Sequence, residues 1–223
     1  MIYENRADAG KRLARELAGY KSQEPLILAL PRGGVPVGAE IAKALDAPLD
    51  LILVRKLGVP MQPELAMGAV IDGAEPHVVR NEDIIAFLAM PEAEFEQICA
   101  RELAEIERRR KLYLANRPRA ELRDRVVIVV DDGIATGATV RAALQAIRGK
   151  GPGKLVLAVP VAPTSTLQEL EGEADEIVCL QCHEPFYAIG LYYTDFHQVT
   201  DKEVIGILSK VRAPEPLGND AVK

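Results

Sequence analysis

The sequence has no surplus of positive charge. Lys and Arg number 27 against 33 Asp and Glu, for a net charge of −6 and a pI near 5.3. A general nucleic-acid binder is normally basic, so no nucleic-acid partner is expected. A local anion site stays open, because backbone amides and a few Arg or Lys can build one in an acidic chain. No apolar run reaches the length of a membrane span. The start, Met1-Ile2-Tyr3-Glu4-Asn5-Arg6, lacks the apolar stretch of a signal peptide. These absences give the expectation of a cytoplasmic protein with no membrane partner. Cys99, Cys179 and Cys182 make no even disulfide framework, which fits a reducing compartment. There is no internal repeat and no low-complexity segment. No G-x-G-x-x-G follows the first strand, which argues against a Rossmann-type nucleotide site.

What remains is an ordinary globular chain. Its 223 residues are 48% hydrophobic and 27% charged, enough for one large domain with a proper core. Asn5 can cap a first helix with Ala9, Leu13 and Leu17 on one face. Pro25 to Leu30 reads as a strand, Val37 to Leu45 as a helix and Leu49 to Val54 as a second strand. The stretch with Gly58, Pro60 and Pro63 reads as a mobile loop, and Ala66 to Ile71 as a third strand. Pro91 to Ala115 is a long helix with Phe95, Cys99, Leu103, Ile106 and Tyr113 near the 3.6 period. Its Arg108 to Lys111 run reads as a solvated face. Later strands fall at Val126 to Val130, Leu155 to Val159 and Glu176 to Leu180. A short helix follows Thr164, and a last helix spans Asp201 to Val211. Strands alternating with helices predict an α/β fold with an open, mostly parallel sheet flanked by helices. One domain is expected over 1–212, with a helical insertion about 91–115, a small hood about 181–200 and a disordered tail over 213–223.

The chemistry concentrates in one segment. Val126 to Val130 is an unbroken β-branched run, the mark of a buried parallel strand. It delivers Asp131 and Asp132 to the carboxyl edge of the sheet, where open α/β sheets bind ligands. Both carboxylates are expected to face solvent there. Gly133, Ile134, Ala135, Thr136, Gly137, Ala138 and Thr139 then lead into a helix N-terminus, whose free N–H groups and dipole favour a phosphate. Gly133 and Gly137 allow a close backbone approach, and the two Thr add hydroxyls. Paired acids beside a phosphate cradle would repel the ligand unless they bind its hydroxyls or a metal. A sugar phosphate supplies hydroxyls. A helix cap alone does not require this combination.

This segment resembles the type I phosphoribosyltransferases, whose signature is a β-branched strand, two acids, a short spacer and a Thr-Gly-small-Thr loop. The resemblance implies that Asp131 and Asp132 bind the ribose hydroxyls of phosphoribosyl pyrophosphate and that Ile134 to Thr139 hold its 5′-phosphate. Leu30-Pro31-Arg32-Gly33-Gly34 resembles the family's pyrophosphate loop, which implies binding by Arg32, Gly33 and Gly34 and a cis peptide between Pro31 and Arg32. Arg55-Lys56 resembles the basic pair before the family's catalytic loop, here expected near Gly58 to Leu65, which implies that Arg55 and Lys56 are catalytic and stabilise the leaving pyrophosphate. The resemblance covers about Pro25 to Val161. Phe186 to Gly190 and Asp195-Phe196 are similar to the C-terminal part of a group of bacterial predicted phosphoribosyltransferases.

The implied activity is transfer of ribose 5-phosphate to a small nitrogen acceptor, a nucleobase by expectation, with Mg²⁺ carried by the substrate and contacts from Asp131 and Asp132. A homodimer is compatible with the resemblance. The alternative is a non-catalytic regulator that binds phosphoribosyl pyrophosphate or a nucleotide. Ala135 stands where the 6-oxopurine branch carries an acid, so hypoxanthine and guanine are expected to be poor acceptors. Cys179-Leu180-Gln181-Cys182-His183 matches the haem-attachment spacing, but haem attachment normally follows export, for which no signal peptide is expected, and a zinc site would need a fourth ligand, for which only His77, His197 and Cys99 remain. It reads as a strand end running into a loop.

Overall fold

The structure, a computed structural model, describes residues 2–59, 62–72, 77–114, 117–118 and 120–215. Its centre is a five-stranded parallel sheet. The strands are β1 (Leu26–Ala29), β2 (Leu49–Leu51), β6 (Val126–Val130), β7 (Lys154–Pro163) and β8 (Glu176–His183), in the order β2-β1-β6-β7-β8. Both faces of the central strands are covered, so β1, β6 and all but the first residue of β7 are apolar rather than alternating, while the edge strands β2 and β8 carry polar residues. Ile27, Ala29, Ile128, Val130, Val156 and Ala158 face one apolar cluster, while Leu26, Leu28, Val127, Val129, Leu155 and Leu157 face the other. Helices α1 (Arg6–Glu16), α2 (Gly34–Leu45) and α7 (Asp201–Leu208) pack in the first layer, and α5 (Ala138–Arg148) packs in the second. The N-cap of α1 is Asn5, whose side chain accepts from the Asp8 amide. Ala9, Leu13 and Leu17 are fully buried, as the helical spacing predicts.

A second sheet is antiparallel: β3 (Val54–Val59), β4 (Gln62–Ile71) and β5 (His77–Arg80). This corrects the sequence reading in two places. The predicted second strand, Leu49 to Val54, divides between β2 and β3, which lie in different sheets. The stretch expected as a loop near Gly58 to Leu65 is largely the β3–β4 hairpin, with residues 60–61 outside the described residues. Leu57, Val59 and Met67 are buried from it, so the pairing is stabilised by core packing despite nearby Pro and Gly.

The hairpin is backed by α3 (Glu82–Phe87) and α4 (Glu92–Leu114). Helix α4 falls where the sequence predicts a long helix, and it buries Phe95, Ile98, Cys99, Ile106 and Tyr113. Its Glu105–Arg109 pair lies at 2.7 Å. The last helix stops at Leu208, not Val211, and the tail beyond residue 215 lies outside the described residues. After β7 the short helix α6 (Thr164–Glu169) returns the chain to β8, and a 3-10 turn, Ile189–Tyr192, lies within the segment expected as a hood.

Candidate functional site

The chain leaves β1 toward β2 on one side and leaves β6 toward β7 on the other. The strand order therefore reverses between β1 and β6, and a crevice must open at their carboxyl ends. Two of the predicted loops meet there. Leu30-Pro31-Arg32-Gly33-Gly34 follows β1, and Asp131-Asp132 follows β6. The Leu30 amide donates to the Val130 carbonyl at 2.9 Å, which locks the two loops together. The Pro31–Arg32 peptide is cis, as the resemblance implies.

Contact between the loops explains the glycine pair. A Cβ on Gly33 would lie 2.8 Å from Asp132 Oδ1 and closer still to Oδ2, and one on Gly34 would lie 2.6 Å from the Val130 carbonyl. Only glycine lets the turn approach this closely. Arg32 reaches toward Asp201 of α7, with Nη1 3.5 Å from Oδ1.

The two acids are not the solvent-facing pair that the sequence predicts. Asp132 is buried, and its Oδ2 accepts from Arg6 Nε at 2.6 Å. Asp131 is half-buried, and its Oδ1 accepts from the Asp132 amide at 2.8 Å. Burial, with the neighbouring Asp132 charge, pushes the Asp131 carboxyl well above the usual range. Burial also pushes Asp132 up, but Arg6 opposes it. The site thus holds two carboxylates that resist ionising together and one cation that relieves one of them.

The loop Gly133 to Thr139 divides by function. Ile134 is buried and its amide donates to the Val161 carbonyl at 2.9 Å, so it fastens the loop to β7 and does not offer a free donor. Gly133 packs against Ile189 and Val161. Ala135, Thr136, Ala138 and Thr139 are exposed. Gly137, at φ +72°, caps α5 in the left-handed region, and no side chain caps the helix start. The first amides of α5 consequently point outward without intrahelical partners, as an anion requires.

Of the basic pair, Arg55 Nε and Nη2 both lie 2.8 Å from Glu102 Oε2 on α4. Lys56 instead lines a cavity of about 460 Å³ between the antiparallel sheet and α5, together with Gly68, Arg80, Asn81, Thr139 and Arg141. The fold therefore joins Lys56 to the loop end of α5 and brings Gly33 against Asp132, while Arg55 is bound to α4.

Several residues escape the sequence reading. Arg6 grips Asp132, the Tyr193 hydroxyl donates to the Asp132 carbonyl at 2.5 Å, and the buried Thr166 hydroxyl props the loop by donating to the Ala135 carbonyl at 2.9 Å. Arg6 alone carries a local signal. A cation in the first turn of a helix opposes the dipole, so it calls for a partner elsewhere.

The Cys-x-x-Cys-His run is not a strand end leading into a loop, because β8 continues through His183. Cys179 is half-buried, with its thiol pushed up to about 12 by burial, and His183 stacks on Tyr192 at 4.7 Å. Among the described residues no group of three or more His, Cys, Asp or Glu could hold a metal. Among them, too, no helix is long and apolar enough to cross a membrane.

At its switch point the parallel sheet thus carries paired acids and a glycine turn, beside a helix start with no side-chain cap. The chain belongs to the family of the phosphoribosyl transferase domain, whose model matches residues 1–196. Over 209 residues it is 44% identical to a Mycobacterium tuberculosis protein, known in strains CDC 1551 and H37Rv, whose own assignment as a phosphoribosyl transferase is provisional. The match covers 94% of this chain but 47% of the mycobacterial protein, so the chain spans about half the length of that relative. The crystal structure of TT1426 from Thermus thermophilus is similar throughout. It shares 39% identity at a TM-score of 0.83, covering 96% of this chain and 100% of that one.

Proposed function

We propose that this chain is a Mg²⁺-dependent phosphoribosyltransferase that moves ribose 5-phosphate from phosphoribosyl pyrophosphate to a small nitrogen acceptor. The bond from ribose C1 to the pyrophosphate oxygen breaks, a bond from C1 to nitrogen forms, and the acceptor nitrogen sheds a proton. The observation that carries this reading is the meeting of the Arg32-Gly33-Gly34 turn with Asp131-Asp132 at the strand-order reversal.

On this reading Thr136, Thr139 and the outward amides of α5 receive the 5′-phosphate. Asp131 accepts from a ribose hydroxyl. Arg32 and Lys56 face the pyrophosphate, whose departing charge they stabilise. The β3–β4 hairpin walls the cavity that Lys56 lines, where it would shield the reaction from water. The donor set fits a metal carried by the substrate. Asp131 and Asp132 are the carboxylates that would reach it, and Mg²⁺ ordinarily takes one or two carboxylates plus substrate phosphates. When bound, it neutralises pyrophosphate charge.

Ala135 is exposed beside the loop and bears only a methyl group, so the acceptor is not a 6-oxopurine that needs a base there. A pyrimidine, adenine or a non-nucleobase amine fits better. Three free thiols suit a reducing compartment, and we assign the chain to the cytoplasm. A second reading, a regulator that binds without catalysis, draws support from one contact: Arg55 is ion-paired to Glu102.

The test is pyrophosphate release with Mg²⁺ and phosphoribosyl pyrophosphate across a panel of nucleobases and amines. Calorimetric binding without release for any acceptor favours the regulator. Turnover near 10 s⁻¹, a typical enzyme rate, with hypoxanthine or guanine refutes the acceptor argument.

A further inference from the structure

Arg6 is the first residue of α1, where the helix dipole repels a guanidinium. Its side chain is nevertheless only 9% exposed. The fork reaches three groups far along the chain. Nε donates to Asp132 Oδ2 at 2.6 Å, Nη1 donates to the His197 carbonyl at 2.8 Å, and the plane lies over the Phe196 ring, 3.9 Å from its centroid. Phe196 stacks on Tyr193 at 4.9 Å, and the Tyr193 hydroxyl returns to the Asp132 carbonyl. The amides of Thr194 and Asp195 donate to the carbonyls of Tyr3 and Glu4, three and two residues before Arg6. Acid, N-terminal arm and hood close into one ring of contacts.

We propose that Arg6 is a positioning residue: it holds the Asp132 carboxylate against the Gly33 turn and ties residues 192–197 to it, so that filling the ribose-phosphate site orders the hood. An arginine is needed because its rigid fork serves two oxygens and a ring face together, whereas a lysine ammonium is a single point donor. The ligand in this proposal rests on the phosphoribosyl reading, and the link between Asp132 and the hood does not.

Hydrogen exchange read by mass spectrometry on the full chain tests both parts. In ligand-free protein, Arg6→Gln and Asp132→Asn should each speed exchange of residues 192–197 about tenfold, and the double variant should be no faster, with β7 amides unchanged. With Mg²⁺ and phosphoribosyl pyrophosphate, wild type should slow at 192–197 and Arg6→Gln should not. Arg6→Lys separates the roles. It should leave the hood as fast as Arg6→Gln does while exchange at the Gly33 turn stays at the wild-type rate, because the ammonium still meets Asp132 but cannot also serve the His197 carbonyl and the Phe196 ring. Unchanged exchange in either single variant, additive effects in the double variant, or slowing by ligand in Arg6→Gln overturns the proposal. Wild type that fails to bind the ligand sinks the phosphoribosyl reading and the transmission with it, and the ligand-free variants still decide the link.

Discussion

Replacing Gly33 with alanine sets two physical effects against each other. Gly33 has helical backbone angles, φ −61° and ψ −38°, at the start of α2. By conformational entropy alone, Ala there should stabilise by about 0.5–1 kcal/mol. The new methyl, however, would occupy the space of the Asp132 carboxylate, lying 2.8 Å from Oδ1 and nearer to Oδ2. Asp132 is not free to turn aside, because Arg6 holds its Oδ2 at 2.6 Å and both side chains are buried. Moving it separates a buried pair, and removing a partner from such a pair costs about 3–5 kcal/mol. The clash wins, and the net loss should be about 2–4 kcal/mol, or roughly 4–16 °C in Tm for a chain of this size. The chain has no tryptophan, so urea unfolding is best followed by far-UV circular dichroism, with Gly206→Ala as the control. Gly206 lies inside α7 with nothing within 4 Å of an added Cβ, so its change should stabilise by about 0.5–1 kcal/mol. Placing Gly33→Ala in an Asp132→Ala background should abolish the penalty, since the obstructing carboxylate is gone. If Gly33→Ala stabilises like Gly206→Ala, or costs the same with and without Asp132, the close packing of turn and acid is not what holds this site together.

Asp50 on β2 is buried and its carboxyl is pushed up to about 6, against the amides of Leu51 and Ala120 and the nearby Arg117, which favour its charge. The folded state thus binds its proton more tightly than the unfolded chain. This group's contribution is complete below about pH 4 and is lost as pH rises through 6, up to about 3 kcal/mol. Stability relative to Asp50→Asn should shift in the variant's favour across that window, and a flat difference from pH 4 to 7.5 contradicts it. His197 is raised by Glu203 and then Asp195, so its NMR titration should lie above that of an ordinary imidazole and fall in Glu203→Gln. An unchanged midpoint in that variant would remove the pairing. Thr166→Val deletes the hydroxyl bond to the Ala135 carbonyl and should cost about 1 kcal/mol in urea unfolding, as a buried hydrogen bond does. A neutral change means that the loop is held by Ile134 alone.

Much of the parallel core was readable because its signals are local. Five β-branched residues leave Val126 to Val130 little choice but a buried strand. Asn5 and the Ala9, Leu13, Leu17 spacing define a helix whose cap and face lie within a few turns. The spacing of Asp131, Asp132 and the Thr-Gly-Ala-Thr loop carries the family signature in a single stretch. The antiparallel sheet was less legible. Gly58 and Pro63 are genuine breakers, and what overrides them is the burial of Leu57, Val59 and Met67 in the core that α4 helps to cover, a contribution no local window contains.

The same division runs through the site. The sequence by itself determined which residue types stand at the ends of β1 and β6, since short-range sterics and strand pattern dictate a turn and two acids there. Tertiary structure decided what those residues are worth to one another. The reversal of strand order set the two loops in contact, leaving room for no side chain at Gly33. Arg6, 126 residues away in the chain, closed on Asp132 and made the two neighbouring acids unequal. Arg55 and Lys56 are adjacent in sequence, yet one is bound to Glu102 and the other lines the cavity. The physical reason is that a strand sends successive side chains to opposite faces, and only the packed fold decides what waits on each.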